Sequence, residues 1–211
     1  MIDYLRDPAE IYRRSFAAIR EECALDRLPP DLAGVAMRLV HACGMPDIVP
    51  DLAASPGAVA AGRAALEAGA PVICDAHMVA QGIQRQRLPR RNAVLCTLDE
   101  PATPTRATAE GTTRSAAAVA GWRPHLADAV VAIGNAPTAL FRLLEELDDG
   151  APRPALILGF PVGFIGAAES KAALASDSRG VPFITLHGRR GGSALAAAAV
   201  NALSGNVEDD P

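Results

Sequence analysis

The sequence predicts one α/β domain: a mostly parallel five-stranded sheet with helices on both faces and a helical lead-in at the N-terminus. Three observations carry that expectation. From residue 70 onward, short wholly apolar runs alternate with helical patterns, as in parallel strands buried on both sides. The segments after those runs are rich in Gly, Pro and small polar residues, which suits turns at the carboxyl edge of such a sheet. The 211 residues suit a single domain spanning 1–211. A chain of this size buries roughly 70 % of its unfolded surface and needs no covalent or metal staple.

The elements follow in order. Asp7 is placed to cap a first helix, Pro8 fits its first position and Glu10 stands where a capping box wants an acid. That helix runs through Ile11, Ser15, Phe16 and Ile19 to about Glu22. A second helix runs from Pro30-Asp31 to Cys43, stopped by Gly44 and Pro46. The stretch Pro46 to Pro56, with three Pro and two Asp, reads as a loop, and a third helix spans Gly57 to Ala68. Expected strands are Pro71–Cys74, Ala93–Thr97, Ala129–Ile133, Ala155–Phe160 and Val181–Leu186. Between and after them, helices are expected over Val79–Gln84, Thr113–Leu126, Thr138–Leu147, Ala167–Ala175 and Gly192–Leu203. The acidic tail at about 205–211 is expected to fray.

Composition removes several classes. No apolar run approaches the roughly 20 residues of a membrane span, and Met1-Ile2-Asp3-Tyr4-Leu5-Arg6-Asp7 lacks the layout of a signal peptide. The four cysteines, Cys23, Cys43, Cys74 and Cys96, form no CxxC pair and read as buried thiols of a reducing cytoplasm. A net charge of −4 and 4 % aromatics argue against a nucleic-acid surface. Two biases stand out: 44 alanines, and 19 arginines against the single Lys171. GC-rich coding explains an Arg bias. So does a pocket for carboxylates or phosphates, which the guanidinium fork grips with paired hydrogen bonds.

Familiar catalytic signatures are missing. There is no GxGxxG, GxxxxGK[ST], HExxH or GxSxG, and the four histidines are too scattered for a zinc site. Ser193, after Gly191-Gly192, reads as a helix N-cap rather than a nucleophile. His41 is the titratable group of most interest. It lies in the last turn of the second helix, where the dipole favours a cation, while Arg38 one turn back opposes it. Such a histidine suits acid/base work, and it equally suits a helix end or a core. His77 follows a strand and could face the cleft; His125 reads as a surface helix residue. The arginines at early helices and strand ends (Arg13, Arg14, Arg38, Arg85, Arg87, Arg114, Arg189, Arg190) point to a carboxylated or phosphorylated small molecule.

A succession of motifs then resembles the precorrin-8X methylmutase (precorrin isomerase) family of cobalamin biosynthesis. It begins with Arg6-Asp7-Pro8-Ala9-Glu10-Ile11-Tyr12-Arg13-Arg14-Ser15-Phe16 and Arg38-Leu39-Val40-His41-Ala42-Cys43-Gly44. It continues with Gly69 to Asp75, Gly111-Thr112-Thr113-Arg114-Ser115-Ala116 and Ala132-Ile133-Gly134-Asn135-Ala136-Pro137-Thr138 onward to Phe141. It closes with Gly159-Phe160-Pro161-Val162-Gly163-Phe164-Ile165-Gly166 through Lys171, and Gly188-Arg189-Arg190-Gly191-Gly192-Ser193-Ala194.

The resemblance implies an isomerase that moves a methyl group from carbon eleven to carbon twelve of precorrin-8X, giving hydrogenobyrinic acid. It implies no cofactor or metal, and a homodimer with substrate pockets at the subunit interface. The family's catalytic histidine falls on His41, and its substrate-contacting positions on Ser15, Arg38 and Arg114. Around them Arg14, Arg85, Arg87, Ser115, Asn135, Thr138, Gly163, Gly166, Arg189 and Arg190 are expected to line the substrate site. Gln84 stands where a small hydroxyl residue is usual, and neither His77 nor Lys171 receives a role. Two further readings remain: the same rearrangement on cobalt-precorrin-8, and a non-catalytic tetrapyrrole carrier. Tight product binding, with hand-over to the next pathway enzyme, is a separate expectation.

Overall fold

Residues 2–205 are described by the computed structural model, so the acidic tail and its expected fraying lie outside the described residues apart from Gly205. The elements are α1 (Pro8–Glu22), α2 (Pro30–Cys43), β1 (Leu52–Ala54), α3 (Ala58–Glu67), β2 (Val72–Cys74) and α4 (His77–Gly82). They continue with β3 (Val94–Leu95), α5 (Ala102–Glu110), α6 (Arg114–Val119), β4 (Val130–Ile133) and α7 (Pro137–Asp148). The chain closes with β5 (Leu156–Gly159), α8 (Ala167–Ser176), β6 (Phe183–Leu186) and α9 (Ser193–Leu203).

The caps behave as their chemistry requires. Asp7 accepts from the N–H groups of Ala9 and Glu10 at 3.0 and 3.4 Å, and Gly44 ends α2 in the left-handed region at φ 67°. Glu10 turns to Arg13 and Arg14 instead of closing a capping box. Ser193 is the first residue of α9 and makes no side-chain cap bond; Gly192 holds the N-cap.

The sheet has six strands, not five, in the order β1-β6-β5-β4-β2-β3. The additional strand is β1, antiparallel to β6 at the edge, with Leu52 opposite Leu186. It sits inside the stretch expected to be a loop, because three residues flanked by Asp51 and Pro56 give no alternation to read. All other pairings are parallel. Two helical expectations also change. Helix α5 is additional, and Thr113–Leu126 is helical only to Val119, after which a 3-10 turn over Ala120–His125 contains Pro124.

Strand side chains alternate between two cores. Val72, Cys74, Val130, Ala132, Leu156 and Leu158 face a layer built from α1, α2, α3, α4 and α9. Ile73, Val131, Ile133 and Ile157 face the layer of α6, α7 and α8, which holds Trp122. The alanine richness has a use here. Helix α9 is buried from Leu195 to Leu203, and a Cβ on Gly82 would stand 2.7 Å from the Ala197 Cβ. Small side chains let α2, α4 and the sheet close on a helix with no solvent face.

The strand order reverses between β2 and β4, so the crevice expected to receive ligands opens at the carboxyl ends of these strands. Buried Asp75, just after β2, bridges that crevice. Its carboxylate accepts from the N–H groups of Gly134, Asn135 and Ala136 at 2.9, 2.9 and 2.7 Å, at the start of α7. Burial pushes its carboxyl above the ordinary range, and the three N–H groups oppose that rise.

Candidate active site

Strand β1 starts opposite the carboxyl end of β6, so the 3-10 turn Pro46–Asp51 joining α2 to β1 lies at the carboxyl edge of the sheet. The last turn of α2, and His41 with it, stands just before that turn. His41 Nδ1 lies 3.0 Å from Ser15 Oγ of α1. The imidazole stacks on Phe16 with centroids 4.9 Å apart and planes at 24°, and is tilted against Tyr12 at 5.5 Å. Among the described residues Nε2 makes no hydrogen bond, and the exposed ring borders a cavity of about 230 Å³ with Ser15, Ile19, Val40, Gly44 and Pro46.

Arg38 sits behind this ring. It is only 7 % exposed, and its guanidinium carbon is 5.6 and 5.7 Å from the ring centroids of Tyr12 and Phe16. That places a permanent cation against two aromatic faces beneath the histidine. Tyr12 and Phe16 had no assigned role in the sequence. The signal was present, since an aromatic pair at i, i+4 brackets Ser15 on one face of α1.

The structure brings Ser15, Arg38 and His41 together and distributes the other expected residues. Arg14 is exposed and bonded to Glu10 at 2.6 Å. Arg87, on the 3-10 turn Arg85–Arg87, is close enough for its charge to act on Tyr12. Arg85 is exposed and lines a separate hollow with Leu88, Arg91 and Asn92.

Arg114, Ser115 and Thr138 belong to the other helical layer, at the starts of α6 and α7. Thr113 caps α6 and shares a 2.8 Å hydrogen bond with Thr138. Beside them lies a cavity of about 630 Å³ lined by Glu110, Thr112, Ala116, Thr138, Phe141, Arg142 and Glu145. It is larger than the hollow at His41; Arg142 offsets the charge of Glu145 on its wall, and no histidine lines it. Asn135 gives its backbone N–H to Asp75 and exposes its side chain.

Gly163 and Gly166 bracket the exposed Phe164 and Ile165, 82 and 89 % accessible. The Arg189 guanidinium lies 5.5 Å from the Phe164 ring centroid. Arg190 is committed within the chain: Nη1 donates to Asp47 Oδ2 at 2.6 Å, and Nη2 to Asp51 Oδ2 at 3.0 Å. His77, given no role, pairs with Asp99 at 2.8 Å on the surface. All four cysteines are free; Cys23 and Cys74 are buried as expected, while Cys43 and Cys96 are only half-buried. Among the described residues, no group of three or more His, Cys, Asp or Glu could hold a metal ion. No helix is long and apolar enough to cross a membrane among those residues.

With that geometry in view, comparison with known proteins is specific. A family model described as precorrin-8X methylmutase matches residues 10–205. A precorrin-8X methylmutase of Pseudomonas aeruginosa is 65 % identical over 97 % of this chain and 98 % of its own length. One from a Sinorhizobium species is 58 % identical over 96 % of each chain. A cobalt-precorrin-8 methylmutase of Priestia megaterium is 34 % identical over 93 % of this chain and 87 % of its own. Among solved structures, a precorrin-8X methylmutase from Thermus thermophilus superposes with a TM-score of 0.84 at 40 % identity, covering 93 % of this chain and 94 % of that one. By family model, sequence and fold alike, the chain belongs to the precorrin-8X methylmutase family, isomerases of cobalamin biosynthesis.

Proposed function

We propose that this chain moves the methyl group on carbon eleven of metal-free precorrin-8X to carbon twelve, yielding hydrogenobyrinic acid, with His41 as the general acid or hydrogen-bond donor. The observation that carries this reading is the fixed imidazole. Ser15 holds Nδ1 and Phe16 stacks the ring, which leaves Nε2 available on an exposed imidazole that borders the cavity. A nitrogen so oriented can donate toward the macrocycle beside the migrating carbon, easing a [1,5] shift. The reaction is an isomerisation, so atoms and electrons balance within the substrate.

The substrate bears several carboxylates. Arg38, Arg114 and Arg189 supply cations around it, with Arg14, Arg85 and Arg87 nearby, and Ser115, Asn135, Thr138, Gly163 and Gly166 supply hydroxyl, amide and backbone contacts. The identities of 65 and 58 % to precorrin-8X methylmutases, against 34 % to a cobalt-precorrin-8 methylmutase, favour the metal-free substrate.

The same reading calls for a second copy. The His41 cavity, about 230 Å³, is below the roughly 300–1,000 Å³ that encloses a drug-sized ligand, and a tetrapyrrole is larger still. Candidate contacts lie on both helical layers, and Val162, Phe164 and Ile165 are exposed at the carboxyl edge. A homodimer that joins the His41 region of one protomer to the Arg114 and Phe164 regions of its partner gives a site of sufficient size. We place this reaction in the cytoplasm, in keeping with four free cysteines, and expect the tightly held product to pass to the next pathway enzyme.

Incubation with precorrin-8X, followed by visible spectroscopy, tests the reading. Conversion to the hydrogenobyrinic acid spectrum supports it; an unchanged spectrum with bound substrate identifies a carrier instead.

A further inference from the structure

Lys171 is the only lysine in the chain and is fully buried, in the second turn of α8. An apolar side chain would fill that space without the desolvation cost of an ammonium, so packing does not explain the residue. Its Nζ donates to the backbone carbonyl of Arg190. Burial lowers its pKa to about 8, and the Asp51 carboxylate opposes that fall.

The carbonyl it holds belongs to a tightly fitted loop. Gly192 N–H donates to Phe160 O at 2.8 Å, and Gly163 N–H to Arg189 O at 3.2 Å. A Cβ on Gly191 would stand 2.3 Å from Phe160 O, so this backbone rests directly on the turn after β5. From the same loop, the Arg190 guanidinium reaches Asp47 and Asp51 on the turn that leads out of α2. A chain of contacts therefore runs from α8 through Arg190 to the segment immediately after His41.

We propose that Lys171 is a positioning residue: tethered to the Arg190 carbonyl, it fixes the 188–192 loop so that Arg190 clamps the turn behind His41. The role rests on the His41 reading given above. The charges that face Lys171 are Asp51 and Arg190, with Asp47 beyond them. From α7, Arg142, Glu145 and Glu146 are taken up with one another and with Arg123, and Asp148 pairs with Arg179. Strand β6 carries no titratable side chain.

The test uses Lys171→Met in the full chain, with precorrin-8X as substrate. The expected KM is about tenfold higher or more, as displaced positioning costs, with kcat within about threefold. Hydrogen exchange rises at residues 188–192 and 46–51 alone. The melting temperature at neutral pH does not fall, because the buried charge is gone. In the unsubstituted protein KM rises above about pH 8 as the ammonium deprotonates, and this limb is absent from the variant. A variant with the original KM, exchange pattern and pH profile overturns the proposal, as does one that only melts earlier. If Lys171→Met does not accumulate folded, Asp51→Asn carries the test, with the same rise in KM and exchange expected and unaltered values contradicting it. Failure of the His41 reading is separable: His41→Ala would then turn over normally, while exchange in Lys171→Met still reports on the tether.

Discussion

Fixing one imidazole nitrogen decides what the other can do. Ser15 Oγ at 3.0 Å from His41 Nδ1 gives the ring an orientation, and Phe16 beneath it removes the freedom to flip away. Removing the ring should abolish proton donation, so His41→Ala is expected to lower kcat by about 10²–10⁴-fold. Ser15→Ala leaves the ring stacked but releases Nδ1. The net worth of one hydrogen bond, about 0.5–1.5 kcal/mol, corresponds to a loss of about two- to thirteenfold in kcat. Steady-state kinetics on both variants checks the order, and Ser15→Ala falling as far as His41→Ala would contradict it. Neither the bond nor its partner could be read from spacing, because Ser15 and His41 lie 26 residues apart on different helices. Their common place in the site came only from the family resemblance.

At the level of elements, glycines and one carboxylate set the geometry of the carboxyl edge. Gly191→Ala places a methyl against the backbone oxygens of Phe160 and Pro161, which cannot rotate away as a side chain would. We expect a loss of about 3 kcal/mol, at the upper end for overpacking, measured by urea denaturation. Asp75→Ala strips the acceptor from three N–H groups at the start of α7, and an equal loss of about 3 kcal/mol is expected from the same measurement.

The long elements were legible. Apolar runs before Asp75, Gly134, Phe160 and His187 marked four central strands, and Asp7-Pro8 and Gly44 marked helix ends. What escaped were short or edge features with no periodicity. Strand β1 has three residues and gains its identity only from pairing with β6. Helix α5, Ala102–Glu110, carries a proline, three threonines and three alanines, without an apolar stripe. Arg190 read as a ligand for carboxylates, and its partners are two aspartates about 140 residues earlier, a contact only folding creates.

For the whole molecule, the distribution of candidate residues over two helical layers is the strongest constraint. Ser15, Arg38 and His41 occupy one layer, Arg114 and Thr138 the other, with Phe164 and Ile165 exposed at the edge. The homodimer proposed above would unite them; on that reading sedimentation velocity gives twice the chain mass, and Phe164→Glu with Ile165→Glu shifts it toward monomer and weakens turnover together. The arginine bias, set against net charge −4, is in good part taken up by ion pairs within the chain, Arg14 with Glu10, Arg142 with Glu145 and Glu146, Arg179 with Asp148, and Arg190 with Asp47 and Asp51. The most direct test of this account is a single-turnover experiment, mixing excess protein with precorrin-8X and following the visible spectrum for the unsubstituted protein and His41→Ala. The account predicts that both bind the substrate and only the unsubstituted protein converts it to hydrogenobyrinic acid at full rate. Conversion by His41→Ala at the unsubstituted rate would contradict it.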